Sequence, residues 1–173
     1  MFRRILAAAL ALLILATAPA FALPAEVARA LPGAQPVGAA RYQFVGLTLF
    51  EAQLWSQSGD FSWQDSFALT LTYRRSFSAE AIAGRALDEM RQRSGEPAAA
   101  LEPLRAPLQA CFADVSPGDR ITGVSTGANS ARFYYNGVRR CEIEWPGLRR
   151  NFFGIWLDGR NQRAFSAQLR GES

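Results

Sequence analysis

The chain has 173 residues, of which 49% are hydrophobic and 12% aromatic, and this composition excludes an intrinsically disordered protein. Its 19 basic residues are all arginines scattered along the chain, and the 15 acids nearly balance them, so no nucleic-acid-binding surface is indicated. Histidine and lysine are absent, which excludes Ser-His and Cys-His nucleophile pairs, histidine zinc sites and lysine Schiff bases. Since no phosphate-binding loop or dinucleotide motif occurs either, we expect no cofactor and no metal.

The N-terminus predicts an export signal. Arg3 and Arg4 precede an apolar run over residues 5–16, and residues 20–22, Ala-Phe-Ala, fit the small-x-small pattern of a cleavage site. An uncleaved anchor is the alternative, but the run is shorter than the ~20 residues that a spanning helix needs. We therefore expect a signal peptide over residues 1–22, cleavage after Ala22, and a single domain over residues 23–173. That domain would have no transmembrane span and would lie in a bacterial periplasm.

The first part of the mature chain predicts strands. Residues 23–38 are rich in Ala and Pro and are typical of a leader with a short helical turn. Residues 41–55 are strand-like, with Gly46 as a bulge or turn between two halves. Both faces of this segment are apolar, which predicts a sheet covered on both sides. Residues 67–73 alternate cleanly between larger apolar and smaller side chains, as a further strand does.

Helical segments are predicted next. Ser78 is the expected N-cap of a helix that continues to about Arg93. Pro103 and Pro107 then interrupt residues 98–112, because proline cannot continue a helix, and favour several short turns.

A three-stranded antiparallel meander follows. Asn136-Gly137 is the strongest short hairpin signal, because a two-residue type I′ turn needs positive φ at both central positions. The strands are predicted over residues 121–124, 131–135 and 138–145. The apolar run over residues 152–157 is expected to pack back onto this sheet, and residues 163–171 to form a terminal helix.

Cys111 and Cys141 are the two cysteines of the chain. In an oxidising compartment they favour a disulfide, which would contribute roughly 3–4 kcal/mol for a loop of this length. Two buried thiols are the alternative. A regular hairpin at residues 136–137 places Cys141 opposite Arg132, and the sequence does not show whether Cys111 reaches it.

The predicted elements describe an α+β protein, and several segments resemble the exported bacterial branch of the chalcone isomerase-like proteins. The segments occur in order over essentially the whole mature chain: LFEAQLW, FALTLTYRRSFSAEAIAGRALDEM, DVSPGDRITGV, FYYNGVRRCEIE and FFGIWLDGRNQRAFSAQLRG. GDRI, YNG and FFGIWL are the most specific parts. The resemblance implies a chalcone isomerase-like open-faced β-sandwich, a largely antiparallel sheet with helices on one face.

The resemblance also bears on activity. The plant enzymes of this fold cyclise chalcones to flavanones, and their relatives include fatty-acid-binding proteins without isomerase activity. The enzyme's arginine at the first long strand is matched by Arg41, but Phe50 stands in place of its strand hydroxyl. Phe77 stands in place of its tyrosine, and Glu80 lies near the place of its lysine. Because the donors that would stabilise an enolate are missing, isomerase activity is not favoured.

We therefore expect a non-catalytic protein that binds a fatty acid or a similar amphipathic molecule through Arg41, Phe50, Tyr73 and Phe77. A guanidinium in an apolar slot can hold a carboxylate bidentately. The alternative for Arg41 is exposure at a strand end, or pairing with Glu51 or Asp65. The alternative functions are an isomerase (an intramolecular lyase) for a small phenolic or apolar substrate, with catalytic residues unknown, and an envelope protein-interaction module without a small ligand.

Overall fold

The computed structural model describes residues 22–160 and 162–172, so the predicted signal peptide up to residue 21 lies outside the described residues. Six strands form one sheet in the order of the chain, and each strand is antiparallel to its neighbours. The strands are β1 Gln35–Phe44, β2 Leu47–Ser56, β3 Phe67–Tyr73, β4 Arg120–Ser125, β5 Ser130–Tyr135 and β6 Val138–Glu144. This continuous meander confirms the three-stranded one predicted from the sequence and extends it by three strands.

The helices are mostly short. They are α1 Ala25–Ala30, α2 Ala79–Ser94, α3 Ala98–Leu101, a 3₁₀ turn Glu102–Leu104, α4 Arg105–Cys111, a π-helical segment Arg149–Phe153, α5 Gly154–Leu157 and α6 Arg163–Leu169. Within the described ranges, none of them combines the length and apolar character needed to cross a bilayer.

The longest helix, α2, has the ends that its sequence predicts. The Ser78 hydroxyl accepts a hydrogen bond from the backbone N–H of Ala81 at 3.1 Å, and Asp114 accepts one from Ala79. Gly95 follows the helix in the left-handed conformation with φ 72°, which glycine adopts without steric cost. Local capping chemistry therefore determines both the start and the end of α2.

The two faces of the sheet are covered by different helices. Leu69, Leu71 and Tyr73 of β3 point to the face that packs under α2 and α5, which we call the inner face. Ala68 points to the opposite, outer face, where it packs with Val27 of α1. The predicted two-sided covering is confirmed for the middle of the sheet, where each face has its own buried apolar cluster, but not near the β1–β2 turn, where Phe44 and Leu47 are exposed.

The beginning of β1 differs from the prediction, because residues 35–38 belong to the sheet and not to a leader. Gly38 lies against the end of α6, where a Cβ atom would come within 2.3 Å of the Gln168 carbonyl oxygen. Alanine and proline next to a glycine give no strand pattern. The strand forms here because β2 pairs with it and α6 packs on it.

The hairpin between β5 and β6 contains a bulge that corrects the predicted pairing of Cys141. After the turn, Tyr134 pairs with Arg139, but Phe133 pairs with Cys141 and not with Arg140. Since a one-residue shift turns a side chain to the opposite face, Cys141 reaches the inner face. There it forms a disulfide with Cys111 of α4, with the two Cα atoms 5.3 Å apart.

Candidate ligand-binding cavity

A cavity of about 410 Å³ lies between the inner face of the sheet, α2 and the segment that contains the π-helix and α5. Apolar and aromatic side chains form most of its wall. From the strands and the loops they include Tyr42, Phe44, Leu49, Phe50, Leu69, Leu71, Tyr73, Phe77, Phe112, Ile121 and Phe133, and from the helices Ala81, Ile82, Ala86, Phe152, Phe153, Ile155 and Trp156. This size and composition are typical of small-molecule sites in proteins.

Small residues and crossed aromatic rings shape the wall. Gly123 of β4 lies beneath Phe153 and Phe133, and a Cβ atom there would come within 3.0 Å of the first ring and 3.2 Å of the second. Phe153 meets Phe67 edge to face, with ring centroids 5.1 Å apart. Aromatic pairs favour this edge-to-face arrangement, so the contact stabilises the wall beside the cavity.

The cavity is partly open to solvent, and three of the residues that line it are exposed. Phe44 is 62% exposed, Ala81 is exposed, and the Arg85 side chain is 70% exposed. We call these three residues the mouth.

Two charged residues of α2 line the cavity, and one of them, Arg85, belongs to the mouth. Among the described residues that line the cavity, Arg85 has the one positive charge and Glu89 the one negative charge. The Arg85 Nη2 atom lies 2.5 Å from the Glu89 Oε1 atom. Ile82, Arg85, Ala86 and Glu89 follow the i, i+3, i+4, i+7 spacing that places side chains on one helical face. Arg85 and Glu89 were not among the predicted site residues, although their helical spacing from the apolar residues Ile82 and Ala86 could have indicated them.

Tyr73 supplies a polar group deeper in the wall. Its side chain is 5% exposed and packs between the rings of Phe50 and Phe77. Burial raises the pKa of the Tyr73 hydroxyl well above its ordinary value, so the group is a neutral phenol at physiological pH. This hydroxyl has no hydrogen-bond partner among the residues that the structure describes, which leaves it available to a ligand or to water.

Arg41 lies outside the cavity, and the prediction that it occupies an apolar slot is wrong. Its side chain is 61% exposed, and Nη2 lies 3.3 Å from Oε1 of Glu51. Arg74 binds the other oxygen of the same carboxylate at 2.7 Å. These two arginines hold the pKa of Glu51 below its ordinary value, chiefly through the hydrogen bond from Arg74 and against a weaker effect of burial. Arg41 thus shows the alternative arrangement weighed from the sequence, in which it is exposed and pairs with Glu51.

The other three predicted site residues lie together. Phe50, Tyr73 and Phe77 all line the cavity, and their rings form a continuous row from β2 to the loop before α2. Tyr42 stacks on Phe50 with the ring centroids 4.8 Å apart and extends the row to β1. That these residues bind a ligand stays a prediction.

The outer face carries a buried ion pair. The Glu26 carboxylate of α1 is fully buried and accepts hydrogen bonds from Arg120 Nε at 2.7 Å and Nη2 at 2.9 Å. Thr122 donates to the same carboxylate at 3.0 Å, and its hydroxyl lies 3.1 Å from that of Thr70. Burial alone would raise the pKa of Glu26, but the hydrogen bonds from Arg120, its own backbone and Thr122 together lower it. This network attaches α1 to the sheet.

No protein-family model matches the chain, and no curated protein matches it at a significant level. Solved structures do match it. The structure is similar to the crystal structure of a fatty-acid binding protein from Arabidopsis thaliana, with a TM-score of 0.64 and 7% sequence identity. The similarity covers 81% of this chain and 88% of the plant protein.

The fold is chalcone isomerase-like. The match, together with the open six-stranded antiparallel sheet and its helices, confirms the predicted α+β class and architecture. At 7% identity the likeness establishes the fold alone, so the ligand must be inferred from the cavity of this chain.

Proposed function

We propose that this protein is a non-catalytic binding protein for an amphipathic small molecule, such as a fatty acid, and that it works in the periplasm after its signal peptide is removed. The observation that carries the proposal is the cavity of about 410 Å³, whose wall is mostly apolar and includes the charged Arg85 and Glu89. The cavity is partly open, and its wall is mostly apolar. A ligand that fills it would remove this apolar surface from water, which is favourable.

The position of the polar groups gives the ligand an orientation. The wall formed by the strands and the aromatic rings suits an acyl chain or another apolar body. Arg85 at the mouth suits an anionic head group, because a guanidinium binds a carboxylate through charge-assisted hydrogen bonds. The head group would compete there with Glu89, and the exposed position of Arg85 avoids the cost of burying an unpaired charge. The Tyr73 hydroxyl could donate to a polar substituent inside.

The residues of the cavity favour binding over isomerisation. Phe50 and Phe77 stand where the resemblance would place a hydroxyl and a tyrosine, and neither can donate to a developing enolate. In other enzymes, removing one hydrogen-bond donor to a developing oxyanion raises the barrier by about 3–4 kcal/mol. A bound carboxylate has no such requirement, which supports the carrier function.

The proposal is tested by titrating the delipidated protein with palmitate in a calorimeter and by native mass spectrometry of protein purified from its own periplasm. We expect a co-purifying lipid mass and saturable binding of palmitate. Arg85→Gln should weaken that binding about tenfold, since hydrogen bonds to charged groups contribute ~1.5–3 kcal/mol. Arg91→Gln is the matched control, because Arg91 is also on α2 and pairs with Asp88 but does not line the cavity.

Three results would contradict the proposal. If the unaltered protein carries no lipid and binds no palmitate, the cavity does not hold this class of ligand. If Arg85→Gln and Arg91→Gln bind palmitate equally well, the head group does not lie at the mouth. Turnover of a chalcone by protein without bound lipid would establish the isomerase in place of the carrier.

A further inference from the structure

The tip of the β1–β2 hairpin exposes a cluster of large apolar side chains. Phe44 is 62% exposed, Val45 83% and Leu47 52%. They are three of the five large hydrophobic residues that are exposed in the described part of the chain, and they stand within four consecutive positions. We call residues 44–47 the hairpin tip. Single exposed apolar residues need no explanation, but a cluster of this kind marks an interaction site.

Val45 is an unfavourable residue for the turn in this tip, because its φ is positive. Val45 and Gly46 have φ of 48° and 73°, and Asn136 and Gly137 of the β5–β6 hairpin have φ of 47° and 85°. The two turns therefore share one geometry, for which Asn-Gly is the preferred pair. A β-branched residue at positive φ costs roughly 1–3 kcal/mol. Valine at the most exposed of these positions is thus better explained by contact with something outside the chain.

Positive charge lies directly beside the tip. A surface groove is lined by Gly46 and Leu47 of the tip and by Arg41, Arg74, Arg75 and Glu51. Glu51 is shared between Arg41 and Arg74. Three guanidinium groups around one carboxylate leave a net positive patch next to exposed apolar side chains.

We propose that the hairpin tip docks on an anionic lipid surface, with Val45 and Leu47 in the acyl-headgroup boundary and Arg74 and Arg75 on the headgroups. An apolar projection beside a basic patch is the arrangement by which peripheral proteins bind such surfaces. The proposal goes beyond the proposed function and does not require the cavity to be occupied. Phe44 belongs both to the tip and to the mouth, so docking would bring the mouth of the cavity to the lipid.

The test is co-sedimentation of the delipidated protein with vesicles, either of phosphatidylcholine alone or of phosphatidylcholine and phosphatidylglycerol in equal parts. We expect binding to the anionic vesicles, and we expect it to weaken as salt screens the charges. Val45→Asn should stabilise the fold, because asparagine suits the turn, and at the same time weaken vesicle binding several-fold. Since the two effects have opposite signs, a loss of folding cannot account for the loss of binding.

The arginines are tested separately. Arg74→Gln together with Arg75→Gln should weaken binding to anionic vesicles by roughly fivefold per residue. Arg105→Gln is the control for charge, because Arg105 is an exposed arginine on α4 that pairs with Glu102 and lies outside the groove.

Equal binding to neutral and anionic vesicles, or unchanged binding by Val45→Asn, would overturn the proposal. So would absence of binding to either vesicle, which would leave a protein partner as the occupant of the tip. Palmitate titration of the same variants separates the two proposals. A tip variant that keeps palmitate binding and loses vesicle binding supports docking. A tip variant that loses both would show that the substitution disturbs the cavity, and this result would count against docking.

Discussion

The two faces of the sheet are both apolar and both covered by helices, but they differ in how tightly they are packed. The outer face packs tightly under α1, with Val27, Trp55 and Ala68 almost inaccessible to solvent. The inner face lies under α2 and α5 and retains a cavity of about 410 Å³.

The polar groups described on the two faces also differ in their partners. On the outer face, the charge of the buried Glu26 is compensated by Arg120, and Thr122 donates a further hydrogen bond to it, so the group joins α1 to the sheet. On the inner face, the Tyr73 hydroxyl has no partner among the described residues, and Arg85 stands at the mouth. Compensated polar groups stabilise a fold, whereas an uncompensated one beside a cavity is suited to a ligand.

The largest expected effect is on the outer face. Glu26→Gln removes the charge that compensates Arg120. Breaking a buried pair costs about 3–5 kcal/mol, and because the Arg120 side chain is 34% exposed, the free energy of unfolding should fall by about 3 kcal/mol. Equilibrium urea unfolding measures it. The control is Glu102→Gln in the exposed pair with Arg105, which should cost under ~1 kcal/mol. Equal losses in the two variants would mean that the Glu26 network contributes no more than a surface pair.

An intermediate effect is expected when one alanine on each face of the sheet is replaced by leucine. Ala68→Leu on the outer face should lower the free energy of unfolding by about 1–3 kcal/mol, because that core has no room. Ala86→Leu on α2 enters the cavity and should be neutral or stabilising, while it weakens palmitate binding. If Ala86→Leu destabilised the protein as much as Ala68→Leu, the inner face would not contain usable space.

The smallest effect is in the pH dependence. The pKa of Glu26 is lowered in the folded state from its ordinary value of 4.5, so its stabilisation is fully present above that value and is lost as the pH falls through the folded pKa. The unaltered protein should therefore lose more stability than Glu26→Gln between neutral pH and the acid range. Thermal unfolding at several pH values measures this, and parallel curves for the two proteins would contradict it.

Much of the fold follows from local sequence patterns. The alternation over residues 67–73 predicted β3. Ser78 and Gly95 lie at the two ends of α2, and Asn136-Gly137 forms the turn of the last hairpin. The prolines of residues 98–112 divided that stretch into short helices, as expected. Each of these signals acts over a few residues and needs no distant contact.

Long-range contacts explain the predictions that failed. Arg41 has a local setting consistent with an apolar slot, but pairing of β1 with β2 places it beside Glu51 at the surface. The bulge in the β5–β6 hairpin decides that Cys141 faces Cys111, and nothing near Cys141 in sequence indicates the bulge. Residues 35–38 become a strand only because β2 and α6 lie beside them.

The amino-acid sequence by itself determined the α+β class and the strand and helix patterns, and the family resemblance of its segments indicated Phe50 and Phe77 as residues that line the cavity. Periodicity and turn chemistry are local, so they can be read without a structure. Only the tertiary structure decided that a cavity remains under α2, that Arg85 and not Arg41 stands at its mouth, and that the hairpin tip projects beside three arginines. The volume of a cavity and the clustering of charged side chains depend on contacts between residues distant in sequence, and these contacts form when the sheet and its helices pack together.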